Sequence, residues 1–329
     1  MIASPPSAIT VSELSKSYRK VRALDSVTFE VGSGELFGFL GPNGAGKTTT
    51  INVLTGLARP DAGSINVSGI DCTRNPKAAQ SLVGIVPDES NLYPELTGFE
   101  NLCFCAALYG MPRNERETRA RELLDTFALA DAADRKFAGY SKGMKRKLTF
   151  AAGIIHEPPI LFLDEPTTGI DVASARQVRQ IIADLHRSGT TVFLTTHYIE
   201  EAERLCERIA FIVHGRIVQT GYTAELLKPV QGKNVLLLSI HHSLPNLFEE
   251  MAVAFPRYQF QALEPGQIRV EACEEVNLVP LLRFMDEHGV QVTEAVRYHP
   301  SLEDVFVQVT GIEAGLMKKE KEKAGGGSQ

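Results

Sequence analysis

Cysteine is scarce and badly spaced for metal or disulfide chemistry. Cys72, Cys103, Cys105, Cys206 and Cys273 are an odd number with no C-x-x-C pair. That pattern excludes a zinc module and a disulfide framework, and leaves core thiols in a reducing compartment. Cys103-Phe104-Cys105 lies in an apolar stretch expected to be helical, where both thiols read as packing groups. Basic charge has no excess either: 34 Lys and Arg face 40 Asp and Glu, a net charge of −6, which argues against a nucleic-acid-coating protein. No apolar run approaches bilayer-spanning length. The start, Met-Ile-Ala-Ser-Pro-Pro-Ser, has neither the basic nor the apolar region of a signal peptide. Any membrane span is therefore expected from another polypeptide. What remains, 329 residues that are 43% hydrophobic and 22% charged, is enough for two packed domains.

The strongest positive signal is Gly41-Pro42-Asn43-Gly44-Ala45-Gly46-Lys47-Thr48-Thr49, which follows the apolar run Glu35–Leu40. A strand entering G-x-x-x-x-G-K-[ST] and then a helix is a phosphate-binding P-loop. Its glycines let successive N–H groups point inward at a helix N-terminus, a concave anion site. Lys47 then reaches the β- and γ-phosphates of a nucleoside triphosphate, and the Thr48 hydroxyl ligates Mg²⁺.

Around this loop, residues 9–31 alternate apolar and polar positions and read as antiparallel strands. Val83–Val86, Ile160–Leu163 and Thr191–Leu194 read as strands, the second of the fully buried parallel type. Thr97-Gly-Phe-Glu100 has capping-box spacing and opens a helical stretch to about Ala152. Strands and helices alternating around a P-loop predict an α/β core with its site at the carboxyl ends of the strands. The polar segment Lys228–Lys233 is expected to be a domain boundary. Beyond it, strands and helices predict a small α+β unit of ferredoxin-like type over 228–311, and the charged, glycine-rich residues 312–329 a disordered tail. His241-His242 reads as an exposed pair rather than a metal site.

Four further segments narrow the function. Asp164-Glu165 ends the buried strand, placing Asp164 beside Mg²⁺ and Glu165 where it accepts a proton from an attacking water. Ser141-Lys142-Gly143 precedes a helix and offers a hydroxyl and N–H groups to an anion. His197 follows the strand 191–194 and is placed to sense the γ-phosphate. Tyr18 is an aromatic able to stack on a purine.

In this order the segments resemble the nucleotide-binding domain of ATP-binding cassette (ABC) transporters, over residues 8 to about 225. Tyr18 matches the family's A-loop, Gly41–Thr48 its Walker A, Ser141-Lys-Gly-Met its LSGGQ signature, and Leu163-Asp-Glu-Pro166 its Walker B. Thr168-Gly-Ile-Asp171 matches the D-loop, and His197 the H-switch. Tyr298–Phe306 looks like the C-terminal extension of ABC-2-type exporter ATPases. The resemblance implies an ABC ATPase core with antiparallel β and helical subdomains (residues 1–227, the helical part about 88–152). It implies ATP and Mg²⁺ as cofactors, Glu165 and His197 in hydrolysis, and Asp171 at the nucleotide. It also implies a homodimer sandwiching ATP between Walker A and the partner's signature, and an integral-membrane permease gripped near Asp88–Glu100. The chain is then a peripheral protein of the cytoplasmic membrane face, powering export.

Two departures stand out. Asp88 occupies the place of the family's Q-loop glutamine, where it either ligates Mg²⁺, repels the nucleotide, or is a turn residue after Pro87. Lys142 and Met144 replace a glycine and the glutamine of the signature. Two rival functions stay open at this level: a soluble ABC ATPase uncoupled from transport, and a regulatory module that binds ATP without turnover.

Overall fold

The computed structural model describes residues 7–231, 234–241, 247–263, 266–298 and 301–312. The expected tail, apart from Ile312, and His242 of the histidine pair lie outside these. The chain divides into two compact units, one made of the residues up to Tyr222 together with those from Val309 onward, the other covering Thr223–Gln308.

The first unit opens with β1 (Ser7–Tyr18) and β2 (Val21–Gly32), whose alternating burial follows their alternating sequence. After β3 (Leu36–Leu40) comes α1 (Lys47–Leu54), then β4 (Ala62–Val67), β5 (Ile70–Asp71), α2 (Pro76–Gln80) and β6 (Val83–Val86). The helical portion is α3 (Gly98–Leu108), α4 (Arg113–Thr126) and α5 (Lys142–Gly153). β7 (Ile160–Asp164), α6 (Val172–Arg187), β8 (Thr191–Thr196), α7 (Ile199–Leu205), β9 (Arg208–Val213) and β10 (Arg216–Tyr222) complete it.

Two sheets result. One is antiparallel, in the order β2-β1-β4-β5; the other runs β10-β9-β3-β8-β7-β6, parallel except for the β10 edge. β3, β7 and β8 are buried along their whole length, as a parallel strand covered on both faces must be. An aromatic cluster joins the sheets: Phe193 lies 5.4–5.8 Å, ring to ring, from Phe29, Phe37, Phe39 and Phe162. Each such ring contributes roughly 1.5–3 kcal/mol by burial.

The helical portion starts where expected. Thr97 accepts from the Glu100 amide at 3.1 Å while the Glu100 carboxylate accepts from the Thr97 amide at 2.8 Å. α4 buries Ala120, Leu123 and Leu124 and exposes its charged face, including the i,i+4 pair Arg113–Glu117.

The second unit holds α8 (Thr223–Gln231), β11 (Asn234–Ile240), α9 (Leu247–Ala254), β12 (Tyr258–Ala262), β13 (Gln267–Ala272), α10 (Leu278–Glu287), β14 (Val292–Tyr298) and α11 (Leu302–Thr310). Its antiparallel sheet is ordered β12-β13-β11-β14, so β11 to β14 with α9 and α10 run β-α-β-β-α-β, as a split βαβ does. Leu236, Leu238, Met251, Val270, Leu281 and Met285 form its core. Ser301 caps α11 through the Glu303 amide, and the Tyr298 hydroxyl donates to Asp304 at 3.0 Å.

Three differences from expectation have simple causes. Residues 228–231, expected as linker, are the end of α8, because apolar Leu226 and Leu227 are buried on it. β12 carried no clear signal, since it alternates between half-buried and exposed positions at the sheet edge. Cys273 is exposed, whereas Cys72 and Cys206 are buried and Cys103 and Cys105 half-buried, so not every thiol is a core group. Burial pushes the Cys72 and Cys105 thiols up to about 11.

Candidate nucleotide-binding and hydrolysis site

Register in the parallel sheet assembles the site. Leu40 of β3 pairs with Thr196 of β8, and Asp164 of β7 pairs with Thr195. The residues that follow these strands, from Gly41, Glu165 and His197 onward, therefore leave the sheet together at its carboxyl end.

The loop from Gly41 to Gly46 owes its path to glycine. A Cβ on Gly41 would meet the Ile212 carbonyl oxygen at 2.1 Å. Gly46, at φ 110°, would press one on the Ala23 carbonyl at 2.6 Å. Ala45 is buried, and its carbonyl accepts from the Gly215 amide at 2.9 Å, so the β9–β10 turn braces the loop. Pro42 and Asn43 are half-buried and Gly44 is exposed. In the first turn of α1, Thr48 is exposed and Thr49 half-buried, while Thr50 turns inward and donates to the Gly46 carbonyl at 2.9 Å.

Lys47 folds back over this loop. Its Nζ donates to the carbonyls of Gly41 at 2.7 Å and Pro42 at 3.1 Å, and lies 3.2 Å from Glu165 Oε1. The other oxygen of Glu165 lies 2.7 Å from His197 Nδ1 and accepts from the Thr168 hydroxyl at 3.1 Å. All three charged or titratable side chains are buried. Burial works to raise the Glu165 pKa, but the His197 hydrogen bond and the Lys47 charge outweigh it and hold the carboxyl below its ordinary value. Asp164 is 4% exposed, and its carboxylate accepts from the Thr195 hydroxyl. Asp164 and the exposed Thr48 hydroxyl are oxygen donors of the hard kind that Mg²⁺ takes, so the donor set fits that ion.

The remaining expected residues fall elsewhere. Ser141 caps α5, its hydroxyl accepting from the Met144 amide at 3.2 Å. Gly143 sits against the start of α6: a Cβ there would lie 2.4 Å from Ser174 Oγ and 3.7 Å from Asp171 Oδ2. Asp171 caps α6, accepting from the Ser174 amide at 2.9 Å and hydroxyl at 2.7 Å. Ser141, Gly143 and Asp171 thus form a second group, apart from Lys47, Glu165 and His197. Tyr18, at the end of β1, is 46% exposed, with Lys16 Nζ 5.4 Å from its ring centroid. Asp88 is half-buried after β6.

Sequence reasoning missed several neighbours. Thr195 and Thr168 orient the two acids. Glu201 on α7 accepts from the Thr196 hydroxyl at 3.2 Å while its Oε1 has no hydrogen-bond partner among the described residues, and burial raises its pKa. Arg146 on α5 is buried between two lysines of a basic run. Helical phase with Gly143 and Phe150 was the one sequence signal that it points inward.

A glycine-built phosphate loop at the carboxyl end of a parallel sheet, facing a buried carboxylate held by histidine, defines a P-loop nucleoside triphosphatase. Residues 24–168 match the family described as ABC transporter. A daunorubicin/doxorubicin resistance ATP-binding protein of Streptomyces peucetius is 45% identical over 317 residues, 94% of each chain. The Nod factor export ATP-binding protein I of Paraburkholderia xenovorans is 35% identical, covering 94% of this chain and 99% of that one. Among solved structures, an ATP binding subunit of an ABC transporter is similar with a TM-score of 0.63 at 32% identity, over 68% of this chain and 93% of that one. An ATP-binding cassette solved as a dimer in a post-hydrolysis state with ADP and Pi gives 0.61 at 26% identity, over 65% and 98%. This chain belongs to the ABC transporter ATP-binding proteins, in the group of ABC-2-type exporter ATPases.

Proposed function

We propose that this chain binds MgATP on Gly41–Thr49, hydrolyses it with Glu165, and thereby drives export through a separate membrane-spanning permease. The observation that carries this reading is the meeting of Lys47, Glu165 and His197 at the carboxyl end of the parallel sheet. Lys47 exchanges its carbonyl partners for β- and γ-phosphate oxygens. Glu165, kept ionised, takes the proton of the attacking water, and His197 orients it through their hydrogen bond. Mg²⁺, when bound, neutralises charge developing on the phosphates; Thr48 and Asp164 would hold it, with Asp88 as a third oxygen donor. Tyr18, exposed at the end of β1, would stack on the adenine.

Ser141 and Gly143 serve the γ-phosphate bound to a second copy of the chain. The first turn of α5 has no acidic residue to repel that anion, and a related cassette was solved as a dimer. The permease contact is assigned to the helical portion near Asp88–Glu100, where Tyr93, Phe104, Leu108 and Tyr109 leave large apolar surface exposed. Among the described residues no helix is long and apolar enough to cross a membrane. The likeness to transporter ATP-binding proteins supports a separate permease as the spanning partner, with this chain at the cytoplasmic membrane face. Relatives named for antibiotic resistance and for Nod factor export support outward transport.

Two measurements test the reading. Glu165→Gln should keep ATP binding, lose phosphate release by roughly 100-fold or more, and accumulate a dimer with ATP. Release at the parent rate would remove Glu165 as the base. Isolation of the chain from solubilised native membranes should bring a stoichiometric polytopic protein; soluble partners alone would favour an ATPase uncoupled from transport.

A further inference from the structure

Arg146 belongs to no nucleotide-binding motif discussed above, yet it is 6% exposed and points at the back of the hydrolytic carboxylates. Its guanidinium donates from Nε to the Pro166 carbonyl at 2.7 Å, and from Nη2 to the Asp164 and Glu165 carbonyls at 3.0 and 3.1 Å. Nη1 donates to the carbonyls of Asp88, at 3.0 Å, and Pro87. Five N–H groups thus meet five backbone oxygens, the full donor capacity of the side chain.

The local backbone explains how three successive carbonyls reach one cation. Along an extended strand, neighbouring carbonyls alternate sides. Glu165 is a non-glycine residue in the left-handed region, φ 49°, and this reversal gathers the oxygens of 164, 165 and 166 on one side. Such a residue is strained by roughly 1–3 kcal/mol and persists only where its surroundings over-determine it. The guanidinium supplies that determination from one face, and the Glu165 amide donating to the Thr195 carbonyl at 3.0 Å supplies it from another.

We propose that Arg146 is a positioning residue for hydrolysis: it holds the left-handed turn that aims Glu165, and couples that turn to the segment at Pro87–Asp88. The inference rests on Glu165 being the base. Because Arg146 sits on α5, one turn after the Ser141 cap, movement of the helical portion against the sheet pulls on the Asp164–Pro166 and Pro87–Asp88 backbones together. A permease docked on that portion would thereby tune the aim of Glu165 without touching the nucleotide. The Asp88 carbonyl, unlike its side chain, takes part whatever residue stands there, so this coupling is indifferent to the loss of the Q-loop glutamine.

Lysine keeps the charge but replaces a planar five-donor fork by one ammonium, which cannot serve carbonyls spread over five residues. The experiment is Arg146→Lys in the full chain, comparing fluorescent-ATP affinity, phosphate release and its pH profile, and melting temperature. Expected is a kcat lower by about 10- to 100-fold, the loss that follows a misplaced catalytic group, with ATP affinity within about twofold. The acid limb of the pH profile should also move upward, as Glu165 loosens from His197 and Lys47. Arg146→Gln, neutral and shorter, should reproduce the fall in kcat if lysine fails to fold. A parent-like kcat in both variants, or affinity, kcat and melting temperature falling together with an unmoved pH profile, would overturn the proposal while leaving Glu165 as the base. A parent chain that releases no phosphate overturns the ATPase reading, and the inference with it.

Discussion

Lys47 Nζ and Glu165 Oε1 stand 3.2 Å apart, both side chains buried, so the proposed phosphate-binding cation and the proposed base are ion-paired with each other. In the proposed reading, phosphate oxygens would compete for the same ammonium. Glu165 would then lose one partner and keep His197 and Thr168, leaving Oε1 to face water.

That pairing predicts an asymmetry in stability without nucleotide. Lys47→Met leaves a buried carboxylate short of its cation, a defect that costs about 3–5 kcal/mol where no other partner compensates. Adding Glu165→Gln removes the stranded charge. The double variant should therefore unfold at higher denaturant than Lys47→Met alone, followed by circular dichroism. Equal midpoints would mean the two side chains do not interact.

His197→Ala should move the pH dependence of phosphate release in one direction. Glu165 is held below its ordinary value, so it is ionised, and able to act as base, at every pH above that lowered value. Activity is lost as pH falls through it. Removing His197 takes away the largest lowering influence and leaves burial, which raises the pKa, opposed by Lys47. The acid limb should shift to higher pH, and kcat at neutral pH should fall by about 10²-fold or more. Stability follows the same sign: a depressed carboxylate stabilises the fold above the unfolded-chain value of 4.5 and loses that contribution below it, so the variant should lose stability mainly above that pH.

Phe193→Ala tests the junction of the two sheets. The ring is fully buried and touches Phe29, Phe37, Phe39 and Phe162. Its removal should cost about 3–5 kcal/mol, read from the first unfolding transition in urea. Thr195 and Thr196 lie two and three residues along the same strand, so ATP affinity should weaken too. A loss below 1 kcal/mol would mean that the sheets are held together elsewhere.

Much of the site could be read in advance because its residues sit in short, contiguous, chemically distinctive strings. Gly41–Thr49 has the spacing of a phosphate loop, and its first glycine has a visible reason: a Cβ on Gly41 would stand 2.1 Å from the Ile212 carbonyl oxygen. Asp164-Glu165 after Ile160–Leu163 declares acids at a buried strand end. Short elements were less visible. α7 has seven residues, just under two helical turns, and β12 is a half-exposed edge strand, so neither is long enough for its periodicity to stand out. Arg146 was hidden for a different reason. Between Lys145 and Lys147 it reads as a solvated charge, and its partners are backbone carbonyls, which carry no sequence signature at all.

The amino-acid order alone dictates the loop, the parallel strands that feed it, and the identity of the acid and the histidine, since these follow from glycine's freedom, apolar runs and ionisable groups. Tertiary structure decided which of these meet. Residues 47, 165 and 197 come together only because β3, β8 and β7 pair in parallel register, and register is a property of the packed sheet. It also split Ser141, Gly143 and Asp171 into their own cluster, and turned one lysine-flanked arginine inward, where five carbonyl oxygens replace the water it gave up.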